Sequence, residues 1–380
     1  MQTDKGRILI VAFTDLGRDP RVYRQIQFLQ EAYAVTAAGL GDPQIEGVRY
    51  IPIPGGRNPF WKRNWDRLLL KAGSFERVYW SSRMVRAAKE VLGDEEFDLI
   101  LGNDMFTLPL AVQLGGRRNA KVVLDAHEYF PRLYDHLWSF RFFYQKYWDT
   151  ICRDYLPRLD GMVTVCEGIA EEYQRNYGVE CGIITNAPFR EDCQPSPIHE
   201  PIRMIHHGST IPSRRLENLI QLMDYLDDRF TLDLIIIQNI KSYYNKLRAL
   251  SDGNSRITFR DPVPLSQIAI TMNQYDIGLY PLPPICFNQH MALPNKIFEF
   301  IQARLAVAIW PSPEMARVVR EHECGVVADD FTLEAMAAKL NSLSLEDIMR
   351  YKQNAHLAAT VCCAETNREI FLQTVKQVLS

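Results

Sequence analysis

The sequence predicts two α/β halves of similar, Rossmann-like architecture, each a parallel β-sheet covered by helices on both faces. Three observations carry this. At roughly 100–200 residues per domain, a chain of 380 residues is about right for two. Short apolar runs without polar alternation recur between helical patterns, as strands buried on both faces require. The rhythm breaks once, over residues 187–201, where four prolines fall among polar residues in a linker composition.

In chain order, residues 7–13 read as a buried strand, followed by a charged loop and a helix over about 20–31. Strands follow at 33–38, 48–53, 98–102, 121–125 and 161–165, with helical stretches between several of them. After the break the pattern restarts: strand 202–206, helix 215–226, strand 232–237, helix 243–250, then strands near 257–259, 276–280, 307–309 and 325–328. Open parallel sheets bind ligands at the carboxyl ends of their strands, so a cleft between two such sheets is the expected site.

Composition narrows the class. The chain is 47% hydrophobic and 23% charged, ordinary for a globular protein. Forty-three basic against 46 acidic residues argue against a generally basic nucleic-acid binder, and no nucleic-acid partner is expected. The eight cysteines form no CxxC pair and show no zinc-ligand spacing, so neither a metal site nor a disulfide framework is expected. The apolar run at 8–13 lacks the pattern of a signal peptide, and no window reaches the ~18 apolar residues of a membrane span. A cytoplasmic protein is expected, touching a membrane at most from one side.

Several segments carry chemistry. In Ala292-Leu-Pro-Asn-Lys-Ile-Phe-Glu299, Pro294 suits a helix start near Asn295, whose free N–H groups favour a phosphate. Lys296 adds charge, and Glu299 has two oxygens for adjacent sugar hydroxyls. On chemistry alone the same residues describe a capped helix with solvated charges. In His206-His-Gly-Ser-Thr-Ile-Pro-Ser-Arg-Arg215, Gly208 allows close backbone approach, and Arg214 and Arg215 sit where a helix dipole disfavours cations. They mark either an anionic partner or a solvent-facing pair. His127 follows a buried strand, as a ligand contact or as a histidine satisfied by local backbone. The loop after the first strand has only Gly17, so the GxGxxG dinucleotide fingerprint is missing. Residues 57–71 mix two tryptophans, five basic residues and one acid, the make-up of an interfacial helix or of a helix packed against the sheet. A second aromatic stretch, 134–155, reads as a helix packed against the sheet.

Taken in order, these motifs resemble the retaining glycosyltransferases of family 4, which have the GT-B fold. The carriers are Asp19-Pro-Arg-Val-Tyr-Arg24, Asn103-Asp-Met-Phe-Thr-Leu-Pro109, Asp125-Ala-His-Glu128, Asp160-Gly-Met-Val-Thr-Val-Cys-Glu-Gly-Ile-Ala170 with Asn186-Ala-Pro188, and Ala292–Glu299 followed by Pro313-Glu-Met315 and Cys324-Gly325. The resemblance implies an N-terminal domain over 1–187, a linker at 188–200, a nucleotide-sugar domain over 201–355, and a C-terminal helical segment, 356–380, crossing back onto the first domain. It implies that Glu299 holds the ribose, that Arg214 binds the diphosphate beside the Gly208 turn, and that His127 reaches the donor sugar. Gly17 would lie near acceptor and phosphate, and residues 259–263 would wall the base pocket. Ser209 stands where an arginine is frequent, which leaves the diphosphate charge to Arg214, Arg215 and Lys296. Met291 replaces the first glutamate of the Glu-x7-Glu motif, as in a branch with A-L-P-N-K-x-F-E, and Arg304 and Ala306 fall at its "A-G-x-P" positions.

The activity so implied moves a sugar from a nucleoside diphosphate sugar to a hydroxyl of a glycan or lipid-linked acceptor, with no cofactor and no metal. A sugar-nucleotide epimerase of the same fold and an inactive nucleotide-binding subunit are the alternatives.

Overall fold

The computed structural model describes residues 5–56, 58–264 and 267–380. Seven strands form the first sheet: β1 (Arg7–Val11), β2 (Ala34–Gly39), β3 (Arg49–Pro52), β4 (Leu99–Asn103), β5 (Lys121–Ala126), β6 (Gly161–Thr164) and β7 (Gly182–Ile183). Their order is 3-2-1-4-5-6-7, all parallel. The second sheet holds β8 (Ile202–Ser209), β9 (Phe230–Ile237), β10 (Ile257–Arg260), β11 (Ile277–Tyr280), β12 (Ala306–Ile309) and β13 (Gly325–Val327) in the order 10-9-8-11-12-13, again all parallel. Both are doubly wound sheets whose strand order reverses beside their first strand, at β1/β4 and at β8/β11, where such folds hold ligands.

Two compact units result. One comprises residues 1–185, 286–288 and 367–380, the other residues 186–285 and 289–366. The proline-rich segment 188–200 belongs to the second unit and is tied down there. Ser196 Oγ donates to Asn273 O at 2.7 Å, and the buried Asp276 carboxylate accepts the amides of His199 and Arg203. Prolines keep this stretch out of a ladder, so a buried carboxylate collects its free N–H groups instead. The last helix, Ala364–Leu379, lies with the first unit from Asn367 onward. Its Phe371 and Val375 are fully buried, and Val378 comes against Gly161 at the start of β6.

Local signals behave as their chemistry requires. Asp19 caps the helix Pro20–Gln30 by accepting from the amides of Arg21 and Val22, with Pro20 in the first turn. The expected helix at 215–226 is instead a 3-10 turn, Pro212–Arg214, and a short helix, Glu217–Leu222. Arg215 sits between them in the left-handed region at φ +50, which breaks the helical run. Gly278 in β11 lets Phe300 lie on the sheet, since a Cβ there would come within 2.6 Å of the ring.

The aromatic stretch departs from expectation. Phe140, Tyr147, Trp148 and Tyr155 are buried, whereas Tyr134, Trp138, Phe142 and Tyr144 are exposed. A π-helical turn, Arg141–Gln145, leads into the helix Lys146–Tyr155, whose inner face supplies three of the buried rings. The stretch is only half core.

Lys352, fully buried, donates to Tyr275 O at 2.8 Å and lies 3.4 Å from Asp276. Lys352→Met leaves that carboxylate without its cation, so we expect a loss of about 3 kcal/mol in urea unfolding.

Candidate functional site

The second unit brings two cationic side chains together at the end of β8, beside the β8/β11 switch point. β8 ends in His206, His207, Gly208 and Ser209. His206 is buried, bonds Leu279 O through Nδ1 at 2.9 Å and stacks on Tyr280. Burial, then the nearby Lys296 charge, holds its pKa well below the ordinary value, so it is a neutral structural imidazole.

Gly208 has φ +143, and a Cβ built on it would lie 2.8 Å from Lys296 Cε and 2.9 Å from Nζ. Only glycine lets the lysine settle there. Lys296 is 9% exposed and lies over the Tyr280 ring at 5.4 Å. It comes from the helix Asn295–Gln302, with Pro294 as its N-cap residue rather than its first turn. Arg214, from the 3-10 turn, reaches the same place, its Nη1 3.8 Å from that Cβ position. Burial, then repulsion from Arg214, lowers the Lys296 amine to about 8, with Glu299 acting the other way. Two cations thus meet in a buried corner, an arrangement that an anion relieves.

One turn along the helix, Glu299 Oε2 lies 3.0 Å from His207 Nε2. The contact is close in distance but off the hydrogen-bond direction, and that nitrogen makes no hydrogen bond among the described residues. The sequence places the His206-His207 pair at a strand end as structural or a cleft wall; His207 lies against Glu299, while His206 is structural. Arg215 is displaced from the corner: its side chain is 62% exposed and 3.7 Å from Glu217. Ser209 and Asn295 are partly buried beside Gly208 and Lys296 in the chain. Phe259 lies edge-on to Tyr244 and under Arg248, while Asp261 and Pro262 after it are exposed. Arg304 has a structural role: at φ +60 its guanidinium donates to Gln302 O at 2.6 Å and Glu191 O at 2.7 Å.

The first unit holds His127 after β5. Its Nδ1 is 3.7 Å from Asp104 Oδ1, its Nε2 3.7 Å from Asp125 Oδ2, and the buried Nε2 makes no hydrogen bond among the described residues. Asp104, at φ +63 just past β4, was not picked out from the sequence; burial raises its carboxyl pKa, and His127 partly offsets this. Asp125 is spent on structure. It takes Arg21 in a two-pronged ion pair at 2.7 and 2.8 Å and accepts from Gln25, while Arg21 also donates to Ile184 O. The Asp19–Arg24 and Asp125–Glu128 motifs therefore form one buried knot. Gly17 sits in the exposed turn after β1, where a Cβ would approach Asp42 O to 3.2 Å.

Among the described residues one potential metal-ligand group converges, Asp135, His136 and Cys286, within 4.8 Å. Asp135 there already pairs with Arg132 at 2.8 Å. The eight cysteines are thiols, not disulfides. Among the described residues no helix is long and apolar enough to cross a membrane.

Residues 22–187 match the family model for Glycosyltransferase Family 4. No curated protein matches the chain in sequence. In three dimensions the chain is similar to sucrose-phosphate synthase from Thermosynechococcus elongatus, with a TM-score of 0.76 at 14% identity over 98% of this chain and 99% of that one. HepE from Anabaena, solved with UDP-glucose, gives 0.72 at 11% identity over 98% and 100%. A glycosyltransferase from Rickettsia africae gives 0.70 at 14% identity over 100% of both chains. At these identities the likeness establishes the fold: two parallel-sheet α/β units of the GT-B type.

The buried ammonium is directly testable. Lysine side-chain NMR should show one amine titrating near pH 8, absent in Lys296→Arg. Arg214→Ala removes a repelling charge and should move that titration upward; an unchanged midpoint would dissociate the two cations.

Proposed function

We propose that the chain is a family 4 glycosyltransferase that moves a sugar, with retention, from a nucleoside diphosphate sugar to a hydroxyl acceptor. The observation that carries this is the Lys296–Arg214 pair seated on Gly208, with Glu299 one helical turn away. Such a site offers two positive charges to a diphosphate and two carboxylate oxygens to a ribose. The match of residues 22–187 to the family model supports the reading, as does the fold shared with HepE, which was solved with UDP-glucose.

The barrier lies in breaking the bond between the anomeric carbon and the phosphate oxygen. Negative charge grows on the leaving diphosphate, and fixed cations aimed at it lower the barrier. Lys296, desolvated before the donor arrives, and the partly buried Arg214 beside it do this. Bringing the diphosphate against Lys296 also stabilises its protonated form. Retention fits attack from the face the diphosphate leaves, its oxygen taking the acceptor proton. His127, beside Asp104, contacts the donor sugar in this scheme. Surface polysaccharide or glycolipid assembly is the proposed setting, with a glycan or lipid-linked acceptor. Arg304 gives no reason to prefer an inactive subunit, because its side chain is committed to holding residue 191 and the end of its own helix.

Two experiments decide. Glu299→Ala loses two hydrogen bonds to a charged group, worth roughly 1.5–3 kcal/mol each, so UDP affinity measured by calorimetry should fall at least about tenfold. Arg214→Ala should lower turnover more than binding, since its charge acts where the transition state is most negative. Undiminished UDP affinity in Glu299→Ala would defeat the ribose assignment. Donor conversion without any acceptor would favour an epimerase, and nucleotide binding without turnover an inactive subunit. With cationic side chains on the diphosphate, sugar transfer should persist in excess EDTA; strict need for a divalent ion would show that Arg214 and Lys296 are not sufficient.

A further inference from the structure

The first unit carries a surface that this reaction does not use. The helix Phe60–Lys71 buries only Asp66 and Leu70. Phe60, Trp61, Trp65 and Leu68 stand out from it, Trp61 being 71% exposed. A helix normally hides its apolar stripe; this one hides an ion-paired aspartate and presents its tryptophans to solvent. Residues 134–144 add Tyr134, Leu137, Trp138 and Phe142, with Trp138 69% exposed. The two segments form one face. Arg67 lies over the Phe143 ring at 5.8 Å, and Lys71 over Phe142 at 5.2 Å.

The exposed charge on this face is positive. Arg63, Arg67, Lys71, Arg141 and Lys146 are exposed. Asp66, the single acid in residues 58–71, is neutralised by Lys62 at 2.6 Å, and Asp135, the single acid in residues 134–146, by Arg132 at 2.8 Å. Tryptophans with basic flanks match the boundary between lipid headgroups and acyl chains, where the rings enter the apolar edge and the cations meet phosphates.

We propose that the face built from helix Phe60–Lys71 and residues 134–146 docks the first unit on an anionic lipid bilayer. The sequence pointed only to the helix; the second aromatic segment joins it through the exposed half of a stretch expected to be core. Docking of this kind brings the chain to lipid-borne acceptors but stands without the glycosyl-transfer reading.

The test is flotation of the full chain with vesicles of phosphatidylcholine, with and without phosphatidylglycerol. Binding should require phosphatidylglycerol and weaken with salt. Arg63→Gln/Arg67→Gln should bind anionic vesicles about thirtyfold more weakly, each basic residue near the surface contributing about fivefold. Trp61→Ala/Trp65→Ala and, separately, Trp138→Ala/Phe142→Ala should each lose at least about tenfold. Circular dichroism and thermal unfolding, unchanged in all three, would show that the losses are not unfolding. No flotation of the wild-type chain with either vesicle, or equal flotation of the wild type and the tryptophan variants, overturns the proposal. So does a dimer in sedimentation velocity that dissociates in Trp61→Ala/Trp65→Ala, because the face would then belong to a second copy.

Discussion

A lysine ammonium buried against a glycine Cα organises the second unit. Gly208 ends the first strand of its sheet, and having no Cβ it leaves room for Lys296 to come down from the neighbouring helix. The charge is thereby removed from water and set beside Arg214, which costs enough to lower the amine to about 8. A corner built this way is unfavourable when empty and favourable when an anion fills it. The surrounding features follow: the stacked neutral His206 as a wall, the 3-10 turn that delivers Arg214, and a helix phase that leaves Glu299 one turn further on.

Other buried charged groups are structural in the fold. Asp125 and Arg21 are engaged with each other, with Gln25 and with Ile184 O, so two motifs over a hundred residues apart close one core. Asp276 accepts the amide of His199 and Lys352 donates to Ser196, which anchors a segment that prolines keep out of any ladder. Arg304 replaces the small residue expected at its position and takes up backbone carbonyls that would otherwise be open. Buried polar groups demand partners, and in a doubly wound fold those partners come from distant parts of the chain.

The exposed aromatic face follows a different constraint. Its rings gain nothing from the core of the unit that carries them, and the basic side chains lie over them rather than beside acids. The proposed docking on an anionic bilayer would cover that surface.

The sequence by itself determined the two α/β units and nearly all of their strands, because strands buried on both faces leave runs of apolar residues that need no partner to be recognised. The two-residue β7 escaped, being too short to leave a pattern. Sequence also marked Gly208, Arg214, Lys296 and Glu299, through the family motifs they resemble, where chemistry alone left each open to a structural reading. Only the tertiary structure decided which charges meet. It drew Lys296 onto Gly208 and left Arg215 exposed one residue from Arg214, because a left-handed backbone at Arg215 breaks the helix there. It set Asp104 beside His127 and His207 beside Glu299, and it divided one aromatic stretch between core and surface. Periodicity reports which face of an element is apolar; only packing reports what, if anything, covers that face.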